Sequence, residues 1–236
     1  MPLRRRIEAL FQTKVTELTE TVAFESLERG TAPPELYDRF IENVVRTHLK
    51  SPQLLAFLYA LAPPDAADDL LHNMLEELGI DEASGVAHPS LLRNLARGAG
   101  LGDRLPELEA LATRDLRRVV VDPILYGTLG ELGLAALGEI IAFEYMLSRV
   151  AGRIARALAA HRGLDAETLA WFTHHSEVDL RHAEQGLDDL EAYLRYYEIP
   201  DDDALTILEM ALRENAFVKR YFAPVGPGRT PSRVAA

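Results

Sequence analysis

Between Phe172 and Gln185 the chain reads FTHHSEVDLRHAEQ, three histidines and several acids inside what is otherwise an amphipathic helical pattern. At about 100° per residue, His175, Asp179 and His182 fall within roughly 60° of one another. His174, Glu177, Arg181 and Glu184 point the other way. The apolar residues of the same helix, Leu169, Phe172, Leu187, Leu190 and Leu194, cluster beside the trio, so two imidazoles and a carboxylate face or border the interior. Burying such groups is costly unless something binds them. Imidazole nitrogen with carboxylate oxygen is a ligand set for zinc, iron or manganese. Three ligands spread over ~10 Å of helix rise exceed what one ion collects from one helix; two ions would use them well. The competing reading is a set of solvated histidines on a polar helix face.

A two-metal site needs further donors. Glu139 and Glu144 stand in LGLAALGEIIAFEYML at 132–147, a stretch apolar nearly all the way round and therefore central in the fold. They lie about 140° apart, so they cannot both serve one site on one face. A buried carboxylate requires a cation, a proton or hydrogen-bond donors, and an ion pair with an arginine is the simplest of these. On the helix before residue 79, Leu70, Leu71, Met74, Leu75 and Leu78 mark the apolar face. Glu77 then sits at its edge as the inward carboxylate, and Glu76 projects away. His88 follows eleven residues later; an unbroken helix would carry it ~16 Å further along, but Gly79 and Gly85 allow a loop that brings the imidazole back. His72 is the substitute for His88, which can equally be a surface residue before Pro89.

The elements that must carry these residues are all helical; no alternating strand pattern and no fixed-period repeat is present. The periodicity predicts helices over about 3–27, 35–50, 51–64, 66–78, 88–98 and 105–118, then two long ones at roughly 124–161 and 165–197, and a last at about 202–221. The short HRGLDAE turn makes the two long helices antiparallel neighbours. The class is all-α, one compact bundle of about seven to eight helices over residues 1–222, with the Pro/Gly/Ser/Arg-rich tail 223–236 disordered.

Composition narrows the function. A chain of 236 residues, 48% hydrophobic, is long enough for one well-buried core. A net charge of -12 argues against a nucleic-acid partner. With no cysteine, disulfides, thiolate metal sites and cysteine nucleophiles are excluded, and a cytoplasmic home fits. MPLRRRIEALF has a basic start but no apolar run behind it, and the 132–147 stretch is short for a membrane span and carries two glutamates.

Taken together, NMLEELG at 73–79, AHPSLL at 87–92, GEIIAFE at 138–144 and HSEVDLRH at 175–182 resemble the haem-oxygenase-like di-iron oxidases and oxygenases, the iron-containing redox enzymes, over about residues 35–200. The resemblance implies a haem-oxygenase-like helical bundle holding two iron ions, with manganese or zinc as other occupants of the same donors. Carried over by motif, it assigns Glu77, His88, Glu144, His175, Asp179 and His182 as metal ligands. The gap between Glu77 and His88 is the departure from the family pattern. The implied activity is O2-dependent oxidation of a small organic substrate, an amino acid, amine or fatty acid; charge and hydropathy add the expectation of no nucleic-acid or membrane partner, and an acidic all-α bundle of this size often forms a homodimer. Tyr126, Phe143, Tyr145, Trp171 and Phe172 are either core or pocket wall, and Arg149 or Arg153 either meets a substrate carboxylate or pairs with an acid at the surface.

Rival readings remain at this level. A metal-free enzyme of the same fold, of the cofactor-synthesis type, leaves six metal-type residues without a role, and a thiaminase-type mechanism lacks its cysteine. A true haem oxygenase would need an early proximal histidine, for which only His48 serves. A ferritin-like centre needs E-x-x-H, where this chain has Asp69-x-x-His72 and Asp179-x-x-His182. A non-catalytic helical binding protein needs none of the site at all.

Overall fold

The computed structural model describes residues 2–81, 85–121, 128–213 and 216–224, without the side chains of 118–121 and 177–180. Among these residues the chain forms eleven α-helices and one 3-10 turn, and no strand. They are α1 (Leu3–Thr19), α2 (Val22–Arg29), α3 (Pro34–His48), α4 (Ser51–Leu61), α5 (Pro64–Glu77), α6 (His88–Gly98), α7 (Leu105–Val121), α8 (Leu129–Arg162), α9 (Ala170–Tyr196), α10 (Asp201–Ala211) and α11 (Ala216–Phe222), with the 3-10 turn at Gly102–Arg104.

Eleven exceeds the nine predicted ranges, and the seven to eight expected of the bundle, because two of those ranges are each broken. The first ends at Glu20, and Thr21 starts α2 by accepting a hydrogen bond from the Phe24 amide, an N-cap that needs neither glycine nor proline. The last is divided between α10 and α11. Of the predicted tail 223–236, residues 225–236 lie outside the described residues.

Helix α8 is the axis of the bundle. Its 34 residues span about 50 Å, and its buried residues lie on every side of the helix from Gly130 to Leu158. Thr128 and Glu131 cap its start reciprocally, and Gly163, in the left-handed region at φ 64°, ends it. The turn that follows sends α9 back antiparallel along it, as the short connection requires. The two come close because Gly186 faces Ile141: a Cβ there would lie 2.6 Å from Ile141 Cγ1. Helices α1, α2, α4 and α10 pack on α8, α5 and α6 pack on α9, and α3 packs against α6, α7 and α11. The core is aromatic at its centre, where Phe40, Phe143, Trp171, Phe172, Phe217 and Tyr221 interlock. Among the described residues no helix is long and apolar enough to cross a membrane.

Candidate metal centre

Three of the six predicted ligands meet. Donor atoms of Glu77, His88 and His175 all lie within 4.8 Å of one another, between the end of α5, the start of α6 and the first turns of α9. The two imidazoles are buried and the Glu77 side chain is 12% exposed. His88 Nδ1 stands 3.0 Å from Glu77 Oε1, and His175 Nε2 stands 3.8 Å from the same oxygen.

The return of His88 is made at Gly79. This residue follows the α5 C-cap at φ +73°, and a Cβ on it would sit 2.6 Å from the Ala87 amide nitrogen and 2.7 Å from the Val86 carbonyl carbon. The strand of loop just before α6 therefore runs against a residue with no side chain and delivers His88 beside Glu77. His72, the alternative, is not in this group. It is half exposed and points to the other glutamate, with Nε2 3.4 Å from Glu76 Oε1 and Nδ1 3.6 Å from Asp81 Oδ2.

His175 is held in one orientation. Its Nδ1 lies 2.7 Å from the Trp171 carbonyl one turn earlier, and because a carbonyl only accepts, Nδ1 carries the proton and Nε2 presents its lone pair to Glu77. The Trp171 ring covers the imidazole at 4.2 Å between centroids, and the His88 ring meets it edge-on at 4.8 Å. Burial lowers the basicity of His175. Burial pushes the Glu77 carboxyl up, but His88 and His175 beside it prevail and hold it well below the usual carboxylate range. Ser51, at the start of α4, places its hydroxyl 2.5 Å from Glu77 Oε2 and 2.9 Å from the His48 carbonyl, with one proton to give to either.

A second group lies alongside, where α5, α8 and α9 face one another. Glu144 accepts a hydrogen bond from Asn73 Nδ2 at 2.9 Å. Burial raises its carboxyl, against the opposing effects of His182 and Asn73. His182 Nε2 stands 2.6 Å from Glu76 Oε2, and Arg181 donates to Glu76 Oε1 at 2.6 Å. Asp179 is on the same helix as His175 and His182; its side chain is outside the described residues.

Glu76 therefore corrects the sequence reading, which turned it outward. The inward stripe of α5 is Ala66, Leu70, Asn73 and Glu77, with Glu76 beside it, 8% exposed, while Leu78 is 41% exposed. The leucine-rich stripe drawn from the sequence is displaced around the helix from the one the fold uses, because the interior here is polar. His174 likewise turns toward the centre rather than away: its ring packs on His88 at 4.6 Å, and burial lowers its pKa to about 4. His48, considered only as a haem ligand, is partly buried, with Nε2 2.8 Å from the Tyr221 hydroxyl and its ring 5.0 Å from that of Trp171. Burial lowers its pKa to about 3, so it is neutral.

The other predicted residues resolve as structural. Glu139 pairs with Arg220 at 2.8 Å, away from Glu144, as their angular separation on α8 requires. Arg153 pairs with Glu28 at 2.7 Å and Arg149 lies over the Tyr145 ring, so neither reaches the centre. Trp171 and Phe172 are core, Phe143 is buried but also borders a cavity, and Tyr126 lies outside the described residues.

Next to the first group, His48, Ser51, Ile140, Phe143 and Arg220 border a cavity of about 80 Å³. The two buried groups and this cavity make a fit for metal testable on the donors themselves. With Nδ1–H of His175 committed to a carbonyl, Nε2 and the Glu77 oxygen are two acceptors converging in a buried volume, which calls for a proton or cation between them. Two nitrogens and a carboxylate suit iron, manganese or zinc.

Comparison with known proteins agrees with this chemistry. A family model described as iron-containing redox enzyme matches residues 38–216. A 4-aminobenzoate synthase of Chlamydia pneumoniae is 28% identical over 150 residues, which is 61% of this chain and 62% of that protein. Another from Chlamydia trachomatis is 27% identical over 165 residues, 69% of this chain and 66% of that protein. The chain thus spans somewhat less than two thirds of the length of these relatives. A solved structure from Shewanella denitrificans, of unknown function and with a haem-oxygenase-like fold, superposes with a TM-score of 0.54 at 15% identity, over 96% of this chain and 97% of the other. The fold is therefore haem-oxygenase-like.

Proposed function

The chain belongs to the iron-containing redox enzyme family, and from this premise we propose that it is a non-haem di-iron oxidase or oxygenase that uses O2 to oxidise a small organic substrate. The observation that carries the reading is the convergence of Glu77, His88 and His175 in a buried position, with donor atoms within 4.8 Å of one another. In this reading those three residues hold one ion, and Glu144, His182 and Asp179 hold the other. Glu76 stands behind His182 and fixes its ring by hydrogen bonding. Iron held by these residues would supply electrons for the reduction of O2.

The chain's own part is positioning and protection. The Trp171 carbonyl fixes the ring angle and tautomer of His175, the Ser51 hydroxyl holds the far oxygen of Glu77, and Asn73 holds one oxygen of Glu144. Such outer hydrogen bonds set ligand orientation and basicity. His48, Trp171, Phe143 and Tyr221 form an aromatic wall that keeps bulk water away from the first group. The cavity bounded by Ser51, Phe143 and Ile140 is the place for a substrate beside the centre. Its charged border, Lys50, Asp115, Glu139 and Arg220, suits a molecule with polar ends more than a hydrocarbon. An amino-substituted carboxylate, the kind of product for which the two chlamydial relatives are named, has that character.

The test is anaerobic loading with Fe(II), mixing with O2, and measurement of O2 uptake with panels of amino acids, amines and fatty acids. Iron-dependent uptake that one class accelerates is the expected result. Uptake that is the same with and without bound iron, for every class, contradicts the proposal.

A further inference from the structure

A second, smaller cavity of about 10 Å³ opens between α5, α8 and α9, bordered by Asp69, His72, Glu76, Glu144, His182 and Asp189. It has room for one water-sized occupant, too little for any organic substrate. Asp189 lies seven residues after His182 and so on the same face of α9. It is 5% exposed, and among the described residues it has no hydrogen-bond or ion-pair partner. The charges nearest to it are acids, Asp69, Glu144 and Asp188. The cations in the neighbourhood are committed elsewhere: Arg181 donates to Glu76, and Arg4 pairs with Asp188. Among the described residues, half-buried Asp69 has no ion-pair partner either.

A buried carboxylate with two acids for neighbours persists only with a proton or a cation. Asp189 is buried and borders the same small cavity as Asp69 and Glu144, so the occupant that these three carboxyl groups call for is a proton or a metal ion. We propose that Asp189, Asp69 and Glu144 form a divalent-cation transit site, through which Fe(II) passes from solvent to the inner donors. This rests on the di-iron reading. The chemistry of the donors sets the direction of travel. Carboxylate oxygens alone hold hydrated Fe(II) weakly, whereas imidazole nitrogen raises the affinity, so an ion reaching Asp69 and Asp189 is passed to Glu144 and on to His182. Glu144 is shared between the outer and the inner positions and makes the transfer a change of partner rather than a release.

The experiment mixes metal-free protein with Co(II) under anaerobic stopped flow and follows the visible absorption that grows as the ion enters nitrogen and oxygen coordination. Asp189→Asn is expected to slow loading about tenfold or more and Asp69→Asn about threefold, with both variants reaching the Co(II) content of the parent. Asp69→Asn, at a half-exposed position, keeps the test intact should Asp189→Asn fold poorly by circular dichroism. Loading of both variants within twofold of the parent overturns the transit site and leaves the metal-centre reading standing. A parent that takes up no Co(II) overturns both.

Discussion

Asp189→Asn is expected to stabilise the metal-free protein by an amount that grows with pH. The folded-state pKa of Asp189 is raised from 3.8 to about 7, chiefly by burial and then by Asp69 and Glu144. Between those values the folded protein keeps a proton that the unfolded chain has released, so stability falls as pH rises through the interval and is fully restored only below about 4. At about 1.4 kcal/mol for each pH unit, the interval from 3.8 to about 7 amounts to about 4 kcal/mol. The near-isosteric asparagine removes this titration and leaves the shape of the site. Urea unfolding of chelator-treated protein at pH 4, 6 and 8 should therefore show variant and parent differing by a pH-independent offset at pH 4, with the variant gaining about 4 kcal/mol relative to that offset at pH 8. Parallel profiles across the range would refute the reasoning, because they would mean that Asp189 titrates alike in the folded and unfolded states.

Three further outcomes follow from the same geometry. Ser51→Ala removes the hydroxyl beside Glu77 Oε2 and should weaken Co(II) binding about 10- to 100-fold, read by competition with a chelator, with the helical content unchanged. Gly79→Ala places a methyl group 2.6 Å from the Ala87 nitrogen at a residue of φ +73°. The left-handed strain of about 1–2 kcal/mol plus the contact should lower Tm by several degrees and reduce metal binding by displacing His88. His48 has its pKa lowered to about 3 by burial, so the unfolded chain takes up a proton near pH 6.5 that the folded protein refuses; stability is lost as pH falls below that value. His48→Gln should therefore shift the acid-unfolding midpoint, followed by circular dichroism, to lower pH.

The fold class and part of the site were legible in the sequence for the same reason, a helical period that survives tertiary packing. His175 and His182 are both buried on α9 as the stripe i, i+7 requires, and Glu139 and Glu144 serve different neighbours as their angle demands. The same rule reaches Asp189, seven residues after His182; its place beside Leu187 and Leu190 let it pass as the polar edge of an apolar face. The helix phase of α5 was not legible, because the pattern rule assumes an apolar interior, and here the inward side carries Asn73, Glu76 and Glu77 while Leu78 and Ile80 face outward. Nor does spacing alone decide between His88 and His72. That choice is made by a loop passing over Gly79, a contact between residues whose separation in sequence carries no period. Ser51 and the Trp171 carbonyl have no signal at all in the residue types, since a serine at a helix start and a backbone oxygen occur in every chain.

The iron content per chain after anaerobic reconstitution and removal of loose metal, measured for the parent, His175→Ala and His182→Ala, tests the central claim most directly. Two iron ions per parental chain and loss of most of them in each variant, with the helical content retained, is the predicted result. Iron in both variants at the parental level would contradict the account.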